Sequence, residues 1–317
     1  MSLLKKLTVI LLGACSLGMQ AQNGPRNTDK NFPEAQPTNK SVEMVTQTDT
    51  LPRMTYLKDV VYATKDGTDL KLQIIQPDKK GSMAKGYPCI VFVKGSAWME
   101  QKLYTDIPAL SVFARRGYVV AIVEYRHSGL ATFPAQRNDA LSAIAFMRKN
   151  ADKYGIDANN MFVWGTSSGA HTALFTSLHI GNDTLPAING IIAYYPPTDV
   201  LRLKDDPTAA SKGDALSPEG RLIGKVAVYD APEKAKEASP YYYIDSDRNM
   251  PPVFLAHGTM DRVVPFSQSD MLANKLEENG IEYEFYALRR ADHGSWEFWT
   301  DEMFDKVDAF IKKHLKH

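Results

Sequence analysis

Residues 161–178 read Met-Phe-Val-Trp-Gly-Thr-Ser-Ser-Gly-Ala-His-Thr-Ala-Leu-Phe-Thr-Ser-Leu. The apolar run Met161 to Trp164 has the unbroken hydrophobicity of a strand covered on both faces of a parallel sheet. A helix-like stretch, Ala170 to Leu178, begins only five residues later, after Gly165-Thr166-Ser167-Ser168-Gly169. A G-x-S-x-G pentapeptide between strand and helix is the pattern of a nucleophile elbow, in which a sharp turn lifts the serine Oγ above the sheet and aims helix N–H groups at a bound group. Five small residues carry little alone, because glycines also cap strands, so the flanking sequence has to agree.

Working outward, apolar runs at Ile90 to Val93, Val119 to Val123, Ile191 to Tyr194 and Val253 to Ala256 repeat the same buried-strand signature. Between them lie helical patterns. Ala140, Ile144, Met147 and Ala151 share one face of a helix ended by Gly155; Met271 to Leu276 form another stopped by Gly280; Met303, Val307, Ile311 and Leu315 stripe the last. Upstream, Val60 to Thr64 and Leu70 to Gln76 flank Asp66-Gly67, a pair suited to a two-residue hairpin turn. Leu70, Leu72 and Ile74 alternate with Lys71 and Gln73, which predicts a half-exposed edge strand. From Val200 to about Met250 the alternation breaks into a polar, Pro-, Ala- and Ser-containing stretch.

An elbow serine needs a base to take its proton and a carboxylate to fix that base. Two downstream loops offer them just past predicted strands, where open α/β sheets place their sites. Val253 to Ala256 leads through His257-Gly258-Thr259-Met260 to Asp261, and Tyr283 to Leu288 leads to Asp292-His293-Gly294. Ser167 is therefore the candidate nucleophile, His293 the general base and Asp261 the orienting acid. Asp199, which also follows a strand, is the alternative acid. His171, one turn after Ser167, reads as a packing residue, His257 as a support for its turn, and Asp292 as a solvated neighbour of His293.

The GTSSGAH segment, Phe133-Pro134-Ala135-Gln136 entering a helix that ends at Lys153-Tyr154-Gly155-Ile156-Asp157, then Ala238-Ser239-Pro240, Pro251-Pro252 before HGTMD, and Val264-Pro265 occur in order. In these the chain resembles the α/β-hydrolase superfamily, and within it the small carboxylesterases that include feruloyl and acetyl-xylan esterases, from about Val60 to the C-terminus. The resemblance implies an α/β-hydrolase fold, a mostly parallel central sheet with helices on both faces, and a small cap insertion at about 200–250. It also implies the chain order serine, acid, histidine. Relatives carry HGGGW where this chain has Lys94-Gly95-Ser96-Ala97-Trp98, so the backbone N–H groups of Ser96 or Ala97 and of Ser168 are expected to form the oxyanion hole. From their place in the sequence, flanking the loop and the base, Trp98 and Trp296 are expected to line the substrate site, with packing in the core as the alternative.

With 317 residues, the chain suits one large domain, at 54–317, rather than two. Lys+Arg and Asp+Glu balance at 37 each, which argues against nucleic acid as a partner; no stable protein partner is indicated. No HExxH, paired-cysteine or glycine-rich phosphate motif occurs, so neither a metal nor any other cofactor is expected. Residues 1–21 read as a signal peptide, with Lys5 and Lys6 before an apolar core and Met19-Gln20-Ala21 before the cleavage point. Leu12-Gly13-Ala14-Cys15 offers a competing lipobox, with Cys15 lipidated. Either way the expectation is export, to the periplasm or beyond. Residues 22–53 are polar and read as a linker.

Taken with the N-terminal signal, the resemblance implies an exported serine hydrolase cleaving carboxylic esters through an acyl-enzyme, with a small-molecule or glycan ester as substrate and short acyl or feruloyl groups on carbohydrates as the expected class. A prolyl-oligopeptidase-like exopeptidase is one alternative. The altered loop at Lys94 to Ala97 keeps open another, an inactive fold that only binds.

Overall fold

The computed structural model describes residues 34–46, 53–78, 85–181, 184–245 and 250–316. The signal peptide expected at residues 1–21, and with it Cys15, lies outside them. Two units are distinguished, residues 1–49 and 50–317. Of the first, residues 34–46 are exposed throughout and carry no helix or strand.

The second unit is built on one sheet of eight strands in the order β1, β2, β4, β3, β5, β6, β7, β8. These are β1 (Met54–Lys65), β2 (Thr68–Pro77), β3 (Tyr87–Val93), β4 (Val119–Val123), β5 (Ile156–Thr166), β6 (Gly190–Tyr194), β7 (Val253–Gly258) and β8 (Tyr283–Leu288). From β4 onward in that order all neighbours run parallel, while β1/β2 and β2/β4 are antiparallel. The hairpin turns at Asp66 and Gly67, both at positive φ.

The edge strand is β1, not β2, which corrects the expectation drawn from Lys71 and Gln73. Gln73 is fully buried because its amide is satisfied locally: its Oε1 accepts from Tyr56 Oη and the Asp59 amide, and its Nε2 donates to Asp59 Oδ1. A polar residue on an alternating strand marks solvent only if no partner reaches it. The true edge is interrupted by register shifts at Leu57/Val60 and Val61/Ala63, which discourage strand addition.

Successive strand residues point to opposite faces, and the helices cover both. On one face Cys89, Val91, Val93, Met161 and Val163 pack with α2 (Ala135–Lys149), the one-turn α3 (Ala151–Tyr154), α4 (Ser168–Phe175) and, from β7 onward, α7 (Ser267–Glu278). On the other, Ile90, Phe92, Phe162, Trp164 and Phe254 meet α1 (Ile107–Arg115) and α8 (Asp301–Lys313). Trp164 lies edge-on to Phe113 at 5.0 Å. Cys89 is enclosed in the first cluster, where burial pushes its thiol up to about 12. Met303, Val307 and Ile311 form the predicted stripe of α8, whereas Leu315 lies past its end. Ala151 likewise falls beyond α2, in α3.

The polar stretch after β6 folds into short pieces, including α5 (Pro218–Leu222) and α6 (Pro232–Glu237). They enclose a small apolar cluster of Val200, Leu222, Ile223, Val228, Ala235 and Ala238, into which Trp98 inserts.

Candidate active site

Ser167 sits between β5 and α4 at φ 53° and ψ −127°, a region that side chains rarely occupy. The neighbouring glycines allow the turn to be this tight. A Cβ on Gly165 would come 2.2 Å from the Gly169 carbonyl oxygen, and one on Gly169 would come 2.0 Å from that of Val93. The result is a serine hydroxyl held at the carboxyl end of the sheet, with α4 starting behind it.

His293 and Asp261 arrive from the loops after β8 and β7. His293 Nε2 lies 2.9 Å from Ser167 Oγ and Nδ1 lies 2.7 Å from Asp261 Oδ2. A carboxylate only accepts, so Nδ1 carries the proton and Nε2 presents its lone pair to the serine O–H. Asp261 is almost fully buried, its Oδ1 accepting from the amides of Val263 (2.8 Å) and Val264 (2.9 Å). Burial pushes its carboxyl up, but hydrogen bonds from His257 and His293 outweigh that and hold it well below the usual carboxylate range. Tyr195, itself at φ 42°, lies against the His293 ring at 4.6 Å and 62°, a support that sequence reading missed; its signal was only the second of two tyrosines closing a buried strand.

The other candidates are engaged elsewhere. Asp199 is fully buried; its Oδ2 is 2.6 Å from Arg202 Nε and 3.0 Å from Tyr242 Oη, so it fixes its own loop. His257 bridges Ser269 Oγ (2.7 Å) and the Val264 carbonyl (2.9 Å), with Asp261 Oδ2 3.3 Å away. Asp292 is ion-paired with Arg262 rather than merely solvated, and its carboxyl is lowered to about 2 by the hydrogen bonds from that guanidinium and by backbone amides.

His171 is enclosed between Trp98 Nε1 (3.2 Å) and the Ala238 carbonyl (2.7 Å). The indole only donates and the carbonyl only accepts, which fixes the neutral ring with its proton on Nε2. Burial lowers its pKa to about 4.

In the Lys94–Trp98 loop, the Ser96 amide donates to Ser168 Oγ at 2.9 Å and is therefore not free to stabilise an oxyanion. Ala97 faces the cavity beside Ser167, and Ser168 opens α4, where the first N–H groups have no helical partner. Among the described residues, neither of these two amides donates to a protein acceptor. Ala97 and Trp98 both hold φ 54°, a conformation that glycine adopts without strain and alanine at a cost of roughly 1–2 kcal/mol. Lys94 is ion-paired with Asp106, and its carbonyl accepts from Tyr125 Oη at 3.1 Å.

A cavity of about 370 Å³ opens over Ser167. Its walls include Ala97, Trp98, Pro197 and Val263 from the sheet's loops and Ser211 and Glu219 from the segment after β6. Trp98 lines it although the residue is buried. Trp296 does not line this cavity: it is 72% exposed on a separate depression with Leu288 and Arg289, which corrects its assignment to substrate. It opens the short helical turn Trp296–Trp299, whose buried residue is Phe298.

Residues 72–276 match the family model described as BD-FAE. The chain is 29% identical over 230 residues to Esterase LipC of Mycobacterium tuberculosis, covering 68% of this chain and 55% of that protein. It thus spans about half the length of the curated relatives it matches. A structure described as a truncated form of carbohydrate esterase from gut microbiota superposes with a TM-score of 0.72 at 25% identity, covering 84% of this chain and 98% of that one. A bifunctional GH43-CE protein of Bacteroides eggerthii matches with a TM-score of 0.70 at 27% identity, over 82% of this chain and 38% of that one.

Proposed function

The chain belongs to the BD-FAE family and has the α/β-hydrolase fold, and from that premise we propose that it is a serine carboxylesterase acting on short acyl or feruloyl esters of carbohydrates. The observation that carries this is the unbroken relay Ser167 Oγ, His293 Nε2, His293 Nδ1, Asp261 Oδ2, with both separations under 3 Å.

In this reading Ser167 Oγ bonds to the ester carbonyl carbon as its proton passes to His293 Nε2. The carbonyl oxygen becomes an oxyanion facing the Ala97 and Ser168 amides, preorganised donors of the kind that supply the largest electrostatic term in acyl transfer. Collapse breaks the bond to the alcohol oxygen, which takes the proton from His293 and leaves an acyl-Ser167. Water, deprotonated by the same imidazole, then releases the acid and restores the serine. Asp261 keeps the imidazole in the required tautomer and steadies its charged form.

The choice of substrate is supported by the size of the cavity and the apolar Ala97, Trp98, Pro197 and Val263 in its lining, which suit a compact acyl group, and by the carbohydrate esterase described above. We also propose export by residues 1–21; sequencing the N-terminus of the protein from a cell envelope and culture medium would locate the cleavage. The test of activity is kcat/KM on short-chain aryl esters, acetylated and feruloylated saccharides, long-chain triglycerides and Xaa-Pro peptides, with Ser167→Ala as control. Preference for the first two classes is expected. Preference for the peptide would replace this reading with an exopeptidase, and no turnover of any ester would leave a binding protein.

A further inference from the structure

The cavity over Ser167 contains a carboxylate for which the acyl-transfer chemistry has no use. Glu219, in α5, is only 5% exposed yet lines that cavity. Its Oε2 accepts from Ser211 Oγ at 2.5 Å, and among the described residues nothing donates to Oε1 and no cation forms an ion pair with either oxygen. Oε1 is nonetheless not sealed inside protein, and the residue borders the cavity. A carboxylate this buried is expensive unless hydrogen-bonded, and half of this one is left for a ligand. Helix capping does not explain it, because Ser217 already caps α5 by accepting from the Gly220 amide at 3.0 Å.

The surroundings describe the ligand. Lys212 shares the cavity, its Nζ donating to the Ala209 carbonyl at 3.0 Å and keeping two further N–H donors. Asp214 lines it too, but its Oδ1 is engaged by the amides of Leu216 and Ser217. One cation against two carboxylates disfavours an anionic ligand such as a uronate. Donors and acceptors in one lining with the apolar Trp98, Val263 and Val264 suit a neutral ring bearing several hydroxyls and C–H faces.

We infer that Glu219, steadied by Ser211, accepts a hydrogen bond from a hydroxyl of a neutral sugar, the alcohol part of the substrate, and so selects glycan esters over simple aryl esters. The inference rests on the esterase reading for its role in turnover but not for binding, and the test separates the two.

Monoacetylated xylotriose is titrated calorimetrically into Ser167→Ala and into the same protein carrying Glu219→Gln or Glu219→Ala. In the active chain, the ratio of kcat/KM for that sugar ester to kcat/KM for p-nitrophenyl acetate is measured with the same Glu219 substitutions. Loss of a hydrogen bond to a charged group predicts a Kd raised about 10-fold to 100-fold by Glu219→Ala, less by Glu219→Gln, and a fall of similar size in the ratio, carried by KM. Glu219→Gln keeps the side chain's shape if the alanine variant folds poorly. Binding and ratio both unchanged within about twofold would overturn the inference. So would failure of Ser167→Ala to bind the sugar while the parent chain hydrolyses the aryl ester, which leaves the esterase reading standing. Sugar binding that depends on Glu219, with no ester turned over by the parent, would overturn the esterase reading alone.

Discussion

Ser167 occupies a backbone region unfavourable to any side chain, and the position is held by contacts between Gly165, Gly169 and Val93 rather than by its own hydroxyl. Ser167→Ala should therefore melt with the parent chain while kcat falls by roughly 10⁴-fold to 10⁶-fold, as for other triad serines. Circular dichroism melting and p-nitrophenyl acetate turnover check the two halves, and retained activity within about tenfold would reject the nucleophile. The two aspartates separate in the same way. Asp261→Asn should lower kcat strongly, since the asparagine favours the wrong imidazole tautomer, and should also cost stability, since the buried carboxylate accepts from two amides and two histidines. Asp199→Asn should cost roughly 1–3 kcal/mol through Arg202 and Tyr242 with turnover largely kept. Urea unfolding beside kcat for both variants decides this, and the opposite order would move the acid to Asp199. Sequence could single out Ser167, Asp261 and His293 because each follows a strand-like stretch, and the structure brings the three side chains within hydrogen-bond distance. It could not distinguish Ser96 from Ala97, since which amide is free depends on where the Ser168 hydroxyl points. Glu219 drew no notice in the sequence, and only folding brings it to the cavity.

The loop from Lys94 to Trp98 and the segment after β6 are joined through His171, which takes the Trp98 indole on one nitrogen and the Ala238 carbonyl on the other. This neutral, buried ring makes stability depend on pH. Its folded pKa of about 4 lies below the ordinary 6.5, so the unfolded chain binds the extra proton between those values. The stability it contributes is present above pH 6.5 and lost as pH falls toward 4, by roughly 3 kcal/mol across the window. His171→Gln, which can accept and donate in the same places without titrating, should flatten that part of the curve; equal slopes for parent and variant in urea unfolding would contradict a neutral His171. The same loop explains how alanine stands where relatives carry glycine. Ala97→Gly relieves the positive φ but adds unfolded-chain entropy of about 0.4–1 kcal/mol, so unfolding free energy should change by under about 1 kcal/mol with kcat preserved. A large loss of kcat would mean that the Ala97 methyl itself positions substrate. At this scale the alternation rule misplaced the edge, because Gln73 looks solvent-facing until Tyr56 and Asp59 on β1 are seen to satisfy it.

One sheet carries the whole site: β5 delivers the serine, β7 the acid, β8 the histidine and β3 the amide loop, all from the ends at which the parallel strands finish. The order of those elements was legible because continuous apolar runs survive any detail of packing, whereas the segment after β6 has short apolar groups that acquire meaning only around Trp98. Residues 34–46 are exposed and lie in the other unit, so a chain beginning at Arg53 should keep both Tm and kcat/KM; a clear loss of either in a side-by-side melt and assay would assign that unit a structural role. The central claim, that Ser167 forms a covalent acyl intermediate with help from His293, is tested most directly by mass spectrometry of the protein after a fluorophosphonate probe. The account predicts one adduct, on the peptide carrying Ser167, absent from Ser167→Ala and formed far more slowly in His293→Ala. No adduct, an adduct on another residue, or equal labelling rates with and without His293 would contradict it.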